Sequence, residues 1–457
     1  MIDKNVIKEL RKSLGKDKVF TQKEYLVTYS YDATGIESLP ELVVLPETEH
    51  DIQQVLKIAY SNKIPVTPRG AGVGLSGGSV PLEGGIALSF TRMNRILSID
   101  TQNFIAVVEP GVVTWHLQQA VEKEGLFYPP DPASLKTSTI GGNVGENAGG
   151  LRCFKYGVTG NYVLGLEAFL MNGEKIKAGS GVIKDVAGYD IRSLLIGSEG
   201  TLAVISKIVL KLIPLPEHRV SFRVDFDSLR TGAEFITHVI HQKVAPSVLE
   251  FMDESSIVAV YRYLDLPVEQ EVKASVIIEL DGSRIDVEER RNRFLEIVKN
   301  SPVIRFQVAE TEAGQEELWN IRRSISPAIA GIKPKKYNED IVVPVGKIPR
   351  TVEYIKSLGL EYDLPVVLFG HLGDGNIHTN VFADPADEKE IARAVDILGE
   401  IFRYVVALNG SISGEHGIGI AKKPFMRYQF SPVEMDLFRG IKEVFDPDNL
   451  LNPGKIL

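Results

Sequence analysis

Apolar and polar positions come in short runs along the first half of the chain and in longer, helix-spaced runs along the second. Residues 42–45, Leu-Val-Val-Leu after a charged Glu41, read as a buried strand. Residues 50–62 space their apolar positions three and four apart, as one face of a helix requires, and residues 64–67 return to a strand. Glycine-dense loops then alternate with strands up to Pro214 and Pro216, which mark a boundary. From Arg219 onward, strands are separated by helical segments at 230–242, 287–299, 314–330 and 387–408. Residues 432–457 read as a helix, an Asp446-Pro447-Asp448-Asn449 turn and a glycine-proline tail. No repeat of solenoid period is present. A chain of 457 residues exceeds one ordinary core, so the pattern predicts an α+β protein with two domains.

Charge and cysteine content narrow the function classes. The net charge of −9 argues against nucleic acid as a main partner, because phosphate binding needs a basic surface. Apolar runs such as residues 366–369 fall far short of the roughly 20 residues of a membrane span. Residues 1–20 carry charges at helical spacing and lack the apolar stretch of a signal peptide. Cys153 is the only cysteine, which excludes an intrachain disulfide, a cysteine zinc knuckle and a cysteine-ligated iron–sulfur cluster. A cytoplasmic chain, or one peripheral at the inner membrane, is expected.

The candidate chemistry concentrates in residues 369–383, FGHLGDGNIHTNVFA. A two-residue Asp374-Gly375 turn would pair Leu372 with Ile377, His371 with His378 and Phe369 with Asn380. Directly paired residues hold their Cβ atoms about 4.5–5.5 Å apart, so both imidazoles could reach one ion, with Asn380 further along the same face. A lone strand histidine is usually packing. Here two of eight histidines lie seven residues apart, and a third, His416, sits in the glycine-flanked loop Ser413-Gly414-Glu415-His416-Gly417. His371, His378 and Glu415 predict a His₂-carboxylate site for a divalent metal (Zn, Mn or Fe) with open positions, and His416 a nearby base.

Three glycine-rich segments accompany this hairpin. Residues 67–78 contain Gly72-Val-Gly-Leu-Ser-Gly77, a match to the dinucleotide fingerprint, and Gly74-Leu-Ser-Gly-Gly78, a match to the nucleophile elbow. Both patterns need a helix next, and Ser79-Val-Pro-Leu-Glu-Gly-Gly85 cannot supply one. The better reading is a loop whose backbone N–H groups wrap a pyrophosphate. Residues 129–150 form a second, extended segment of hydroxyls among glycines, and residues 197–206 a turn leading into a strand.

Residues 68–78, 137–150, 197–206 and Asn452-Pro-Gly-Lys455 resemble the flavin-binding fold of the vanillyl-alcohol oxidase superfamily. The hairpin and the Gly414-Glu-His-Gly417 loop resemble its branch of bacterial D-lactate dehydrogenases, the glycolate oxidase catalytic subunit and D-2-hydroxyglutarate dehydrogenase. The resemblance covers about residues 20–457. It implies a two-subdomain FAD-binding domain over 1–216, an α+β substrate or cap domain over 217–410, and a segment over 411–457 that returns to the FAD domain. It places the FAD pyrophosphate on Pro68, Arg69, Gly70, Ala71, Gly72, Gly74, Leu75, Ser76 and Gly77. Asp131, Pro132, Ser138, Gly141, Gly142, Asn147 and Gly150 would take the ribityl and ring region, Glu199, Gly200 and Ile205 the adenine end, with Asn452 in the returning tail. No histidine lies between Thr67 and Gly78, so FAD is expected to be non-covalent.

For substrate, the resemblance implies a D-2-hydroxy acid, D-lactate or glycolate first and D-2-hydroxyglutarate as the alternative. Arg322 and Ser326, four apart on one helical face, would hold its carboxylate. Asn380 and one lysine of Lys333, Lys335 and Lys336, with Lys336 preferred, complete the expected substrate contacts. Electrons would leave to a quinone, an electron-transferring flavoprotein, an iron–sulfur subunit or oxygen. Two rival readings are a metal-dependent hydrolase without flavin and a flavin-carrying electron-transfer subunit without a substrate of its own. Four chemistry-bearing residues, His371, His378, Glu415 and His416, argue against the second.

Overall fold

The computed structural model describes residues 1–268 and 270–457, and the chain divides into two compact units. Unit 1 comprises Met1–Gly149, Val158–Leu215 and Glu415–Leu457; unit 2 comprises Gly150–Gly157 and Pro216–Gly414. The chain passes from one unit to the other at 215/216 and 414/415. An excursion over residues 150–157 has no counterpart in the sequence pattern.

Unit 1 holds two larger sheets and a ribbon. The strands β1 (Val19–Phe20), β2 (Leu42–Val44), β3 (Val66–Arg69) and β4 (Ile86–Ser89) form a sheet of order β1-β2-β4-β3, parallel except at its β1 edge. The second sheet, of order β5-β6-β10-β8-β9, is antiparallel and uses β5 (Ile96–Asp100), β6 (Ile105–Val108), β8 (Val163–Phe169), β9 (Lys175–Gly179) and β10 (Val204–Lys211). A short ribbon pairs β7 (Leu126–Phe127) with β11 (Ile213–Pro214). The strand-helix-strand pattern read over residues 42–67 appears as β2, the helix Glu49–Ser61 and β3. Thr48 and Asp51 cap that helix reciprocally, and it buries Ile52, Val55, Leu56 and Ala59. The tail returns to this core: Leu450 and Leu451 are buried in it, and the Asn452 N–H donates to the Val66 carbonyl at 2.8 Å.

Unit 2 is built on one antiparallel seven-stranded sheet of order β15-β12-β14-β13-β17-β18-β16. Its strands are β12 (His218–Phe226), β13 (Val248–Asp253), β14 (Ala274–Gly282), β15 (Arg305–Ala309), β16 (Lys335–Val342), β17 (Val366–Gly370) and β18 (Asn376–Ala383). The helices read from the sequence appear at Leu229–His241, Arg284–Lys299 and Glu388–Ala407. The segment 314–330 instead divides into Glu312–Arg323 and Ile325–Ile329, broken at Ser324. Trp319, Ile321, Ile325 and Ile329 from this pair cover one sheet face with Met252, Val367, Phe369 and Phe382. Burying this apolar face stabilises the unit in proportion to the area removed from water.

The hairpin register differs from the sequence expectation. In β17–β18, Phe369 pairs with His378 and Val367 with Asn380, so His371 and His378 are not directly opposite. The turn spans residues 371–375, closed by Asp374 N–H to the His371 carbonyl and Gly375 N–H to the Leu372 carbonyl, both 3.3 Å. Gly375, at φ 87°, lies against the Val343 carbonyl, where a Cβ would come within 2.0 Å. That contact with a neighbouring segment lengthens the turn, which local Asp-Gly preference cannot anticipate.

Candidate active site

The two histidines meet as diagonal rather than paired residues of one sheet face. His371 Nε2 and His378 Nε2 are 3.3 Å apart with the rings nearly perpendicular, and both side chains are buried. The Nδ1–H of His371 donates to Glu250 Oε1 at 2.5 Å, which leaves its Nε2 carrying a lone pair. Two ring nitrogens at this separation require a proton or a cation between them. Nitrogens about 2.0–2.1 Å from a single ion would stand this far apart at a near-tetrahedral angle. A carboxylate behind a histidine is also the usual outer partner of a metal-bound imidazole.

Glu250 was not singled out by sequence reasoning, although a lone carboxylate inside Val248-Leu249-Glu250-Phe251-Met252 is the kind of buried charge that needs a partner. It is fully buried and serves two partners: its Oε2 accepts from Arg322 Nε at 2.5 Å. The Arg322 guanidinium stacks over Phe369 at 4.9 Å, and its Nη groups meet no partner among the described residues. Arg322 is therefore oriented from behind, with its terminal donors left for a carboxylate. Ser326 is exposed on the second, separate helix and its hydroxyl meets no hydrogen-bond partner among the described residues, so the expected Arg322–Ser326 pairing on one helical face is not formed.

Further along the same face, His378 pairs with Asp340, Asn380 with Asn338 and Phe382 with Lys336. Asn380 is fully buried. The three lysines separate clearly: Lys333 is held by Glu390 at 2.7 Å, Lys335 stacks on Tyr337, and Lys336 has no ion pair among the described residues. Desolvation holds the Lys336 ammonium below the usual lysine range. Asp340 is a second residue that sequence reasoning passed over. It accepts from the Gly414 N–H at 2.9 Å and from the Ser413 hydroxyl at 3.2 Å, which fixes the last residues of unit 2 before Glu415. Gly414 admits no side chain there, since a Cβ would meet Asn376 Nδ2 at 2.4 Å.

In unit 1, a cavity is lined by Pro68, Arg69, Gly70, Ala71, Gly72, Gly74, Leu75, Pro132, Ser138, Gly141, Gly142, Glu199, Gly200 and Ile205, together with Glu415 and His416. The N–H groups of residues 71–75 donate to no group among the described residues, so a row of amides is available to an anion. No helix follows this loop, so neither the dinucleotide fingerprint nor the nucleophile elbow is formed. Gly70 and Gly72 permit close packing: a Cβ would strike Thr139 Oγ1 at 2.4 Å or the Arg69 guanidinium at 2.0 Å. These observations fit a bound dinucleotide such as FAD.

Several expected flavin residues stand off the cavity wall. The Ser76 carbonyl accepts from Ile420 and Ala421, and Gly77 packs on Ile420. Asp131 is buried, and Asn147 caps a helix at φ 50° and accepts from the Gly160 N–H at 2.8 Å. Asn452 donates to the carbonyls of Gly78 and Glu199, tying two loops together. Gly150 belongs to unit 2. The segment 129–150, read as extended, contains the helix Ile140–Glu146 capped by Thr139. Its three glycines disfavour a helix, and the capping bond and the packing of Ile140 and Val144 override them. The Glu199 carboxylate is committed to the N–H groups of Ile418 and Gly419 at 2.7 Å, and burial pushes it up to about 7. It thus anchors the loop that carries His416.

A family model described as FAD binding domain matches residues 40–179, and one described as FAD linked oxidases, C-terminal domain, matches residues 215–456. The chain is 39% identical to the glycolate oxidase subunit GlcD of Bacillus subtilis, over 100% of this chain and 97% of that protein. It is 36% identical to the D-lactate dehydrogenase of Anaerostipes hadrus, over 97% and 96% of the two. Among solved structures, p-cresol methylhydroxylase with substrate bound superposes with a TM-score of 0.82 at 17% identity, covering 99% of this chain and 96% of that one, which shows a shared fold.

Proposed function

The chain belongs to the FAD-linked oxidases, on the branch of glycolate oxidase, D-lactate dehydrogenase and D-2-hydroxyglutarate dehydrogenase, and from that premise we propose that it oxidises D-lactate or glycolate to the 2-oxo acid with a divalent metal beside its FAD. The observation that carries the metal part is the facing pair of imidazole nitrogens with Glu250 behind one of them. His371, His378 and Glu415 would hold the ion. Bound there, a divalent cation supplies Lewis acidity that lowers the substrate hydroxyl pKa, and FAD supplies the hydride acceptor. Arg322 pairs with the substrate carboxylate through its Nη groups, and Asn380 contacts the bound acid. His416 accepts the hydroxyl proton at a ring nitrogen. Zinc, manganese and iron analysis of the purified protein, together with turnover on D- and L-2-hydroxy acids, tests this reading. A metal-free protein with full activity overturns the metal.

Lys336 favours a second reading. It is a half-buried cation without an ion pair among the described residues, on the face that carries Asn380 and His378, and could receive a second carboxylate. D-2-hydroxyglutarate would then be preferred over D-lactate, and the same panel of acids decides between them.

Arg322→Lys keeps the charge and loses the planar fork, so KM for the preferred acid should rise roughly tenfold to a hundredfold with FAD content unchanged. Steady-state kinetics beside the flavin absorbance check this, and an unchanged KM moves the carboxylate clamp elsewhere. FAD should also be held without a covalent bond, since residues 68–77 offer no histidine. Acid precipitation should leave all the yellow colour in the supernatant; colour in the pellet contradicts this.

A further inference from the structure

We propose that residues 150–157 are a positioning element for the His371 turn, with Phe154 as its key side chain. This rests on the metal site proposed above. The chain lines the unit 1 cavity up to Gly149, gives residues 150–157 to unit 2 and returns at Val158. Gly150, at φ 148°, and Gly157, at φ 80°, flank the excursion and allow its sharp changes of direction.

Four side chains fasten it within unit 2. Leu151 packs against the cluster of Trp319, Ile321 and Phe369, the residues around Arg322. Phe154 lies on the backbone of Gly373, where a Cβ would fall 2.9 Å from the Phe154 Cγ and 3.2 Å from the Leu249 Cβ. Lys155 Nζ donates to the Asp281 carbonyl at 2.8 Å and to its Oδ1 at 2.5 Å, while the Tyr156 hydroxyl donates to Oδ2 at 2.7 Å. Asp281 is fully buried and Lys155 partly exposed, so this anchor is a charge-assisted one made to a buried carboxylate.

The consequence concerns His371. Its turn contains two glycines, whose backbones admit many conformations, so the groups packed on it decide its geometry: Gly375 lies against Val343, and Gly373 against Phe154 and Leu249. A metal or catalytic constellation needs its ligands held within about 0.5 Å by their surroundings. Glu250 fixes the His371 ring from one side, and the Phe154 ring covers the glycine two residues further along the turn. The Phe154 contact is with the backbone of Gly373, so Phe154 acts through the turn.

The test uses holoenzyme with Phe154→Ala and Phe154→Leu, read by chelator competition for metal affinity and by hydrogen exchange of amides 369–376. Phe154→Ala should lose metal affinity roughly tenfold to a hundredfold, as outer partners of metal ligands do, and exchange faster over 369–376 alone. Phe154→Leu, which refills the space, should recover most of both, with FAD content equal in all three proteins. Wild-type affinity and exchange in both variants overturn the proposal, as does faster exchange spread evenly over unit 2, which marks a general packing role. A wild-type protein that binds no metal defeats the metal reading instead, and the exchange pattern then still decides the role of Phe154.

Discussion

Replacing His378 by alanine should yield a yellow protein that has lost its metal and about a thousandfold or more of its turnover, since Lewis-acid assistance of several kcal/mol is removed at about tenfold per 1.4 kcal/mol. His371→Ala should behave alike, because the two Nε2 atoms face each other across 3.3 Å and neither alone makes a site. FAD should remain in both variants, since the cavity with the row of free amides is lined by residues of unit 1. His416→Ala separates the roles: turnover should fall on the order of a hundredfold to ten-thousandfold, as for loss of a general base, with metal retained. Plasma mass spectrometry on the three variants reads the metal, and absorbance reads the flavin. Full metal and activity in both hairpin variants would show that these histidines only pack.

Glu250→Gln should weaken two functions at once. An amide has one acceptor oxygen and an NH₂ that opposes a second donor, so it cannot serve both the His371 Nδ1–H and the Arg322 Nε–H. Metal affinity should drop roughly tenfold to a hundredfold, and KM should rise because Arg322 loses its orienting anion. Glu250→Ala should in addition destabilise the protein by about 3–5 kcal/mol, the usual cost of stranding a buried charge, here that of Arg322. Chelator competition, KM and thermal melting measure the three effects. A variant that changes metal affinity without moving KM would show that the Glu250–Arg322 contact plays no part in substrate binding.

Short-range pattern was enough for the parts of this protein whose cause is local. The spacing of apolar residues over 50–62 acts within a few positions, and the corresponding helix runs over Glu49–Ser61. Local chemistry likewise excluded the two glycine-loop decoys, because Pro81 and two further glycines forbid the helix they need. The histidines could be read as partners on one sheet face, since alternation along a strand is a property of the strand itself. The register was not, because the Gly375 turn is shaped by Val343 from a distant segment. Glu250, Asp340 and Phe154 lay outside reach for the same reason. Glu250 becomes a hydrogen-bond partner of His371 only when β13 is laid beside β17, a pairing of residues more than a hundred positions apart. Asp340 and Phe154 matter through the segments folded against them, so their roles are properties of the tertiary arrangement rather than of any stretch of sequence.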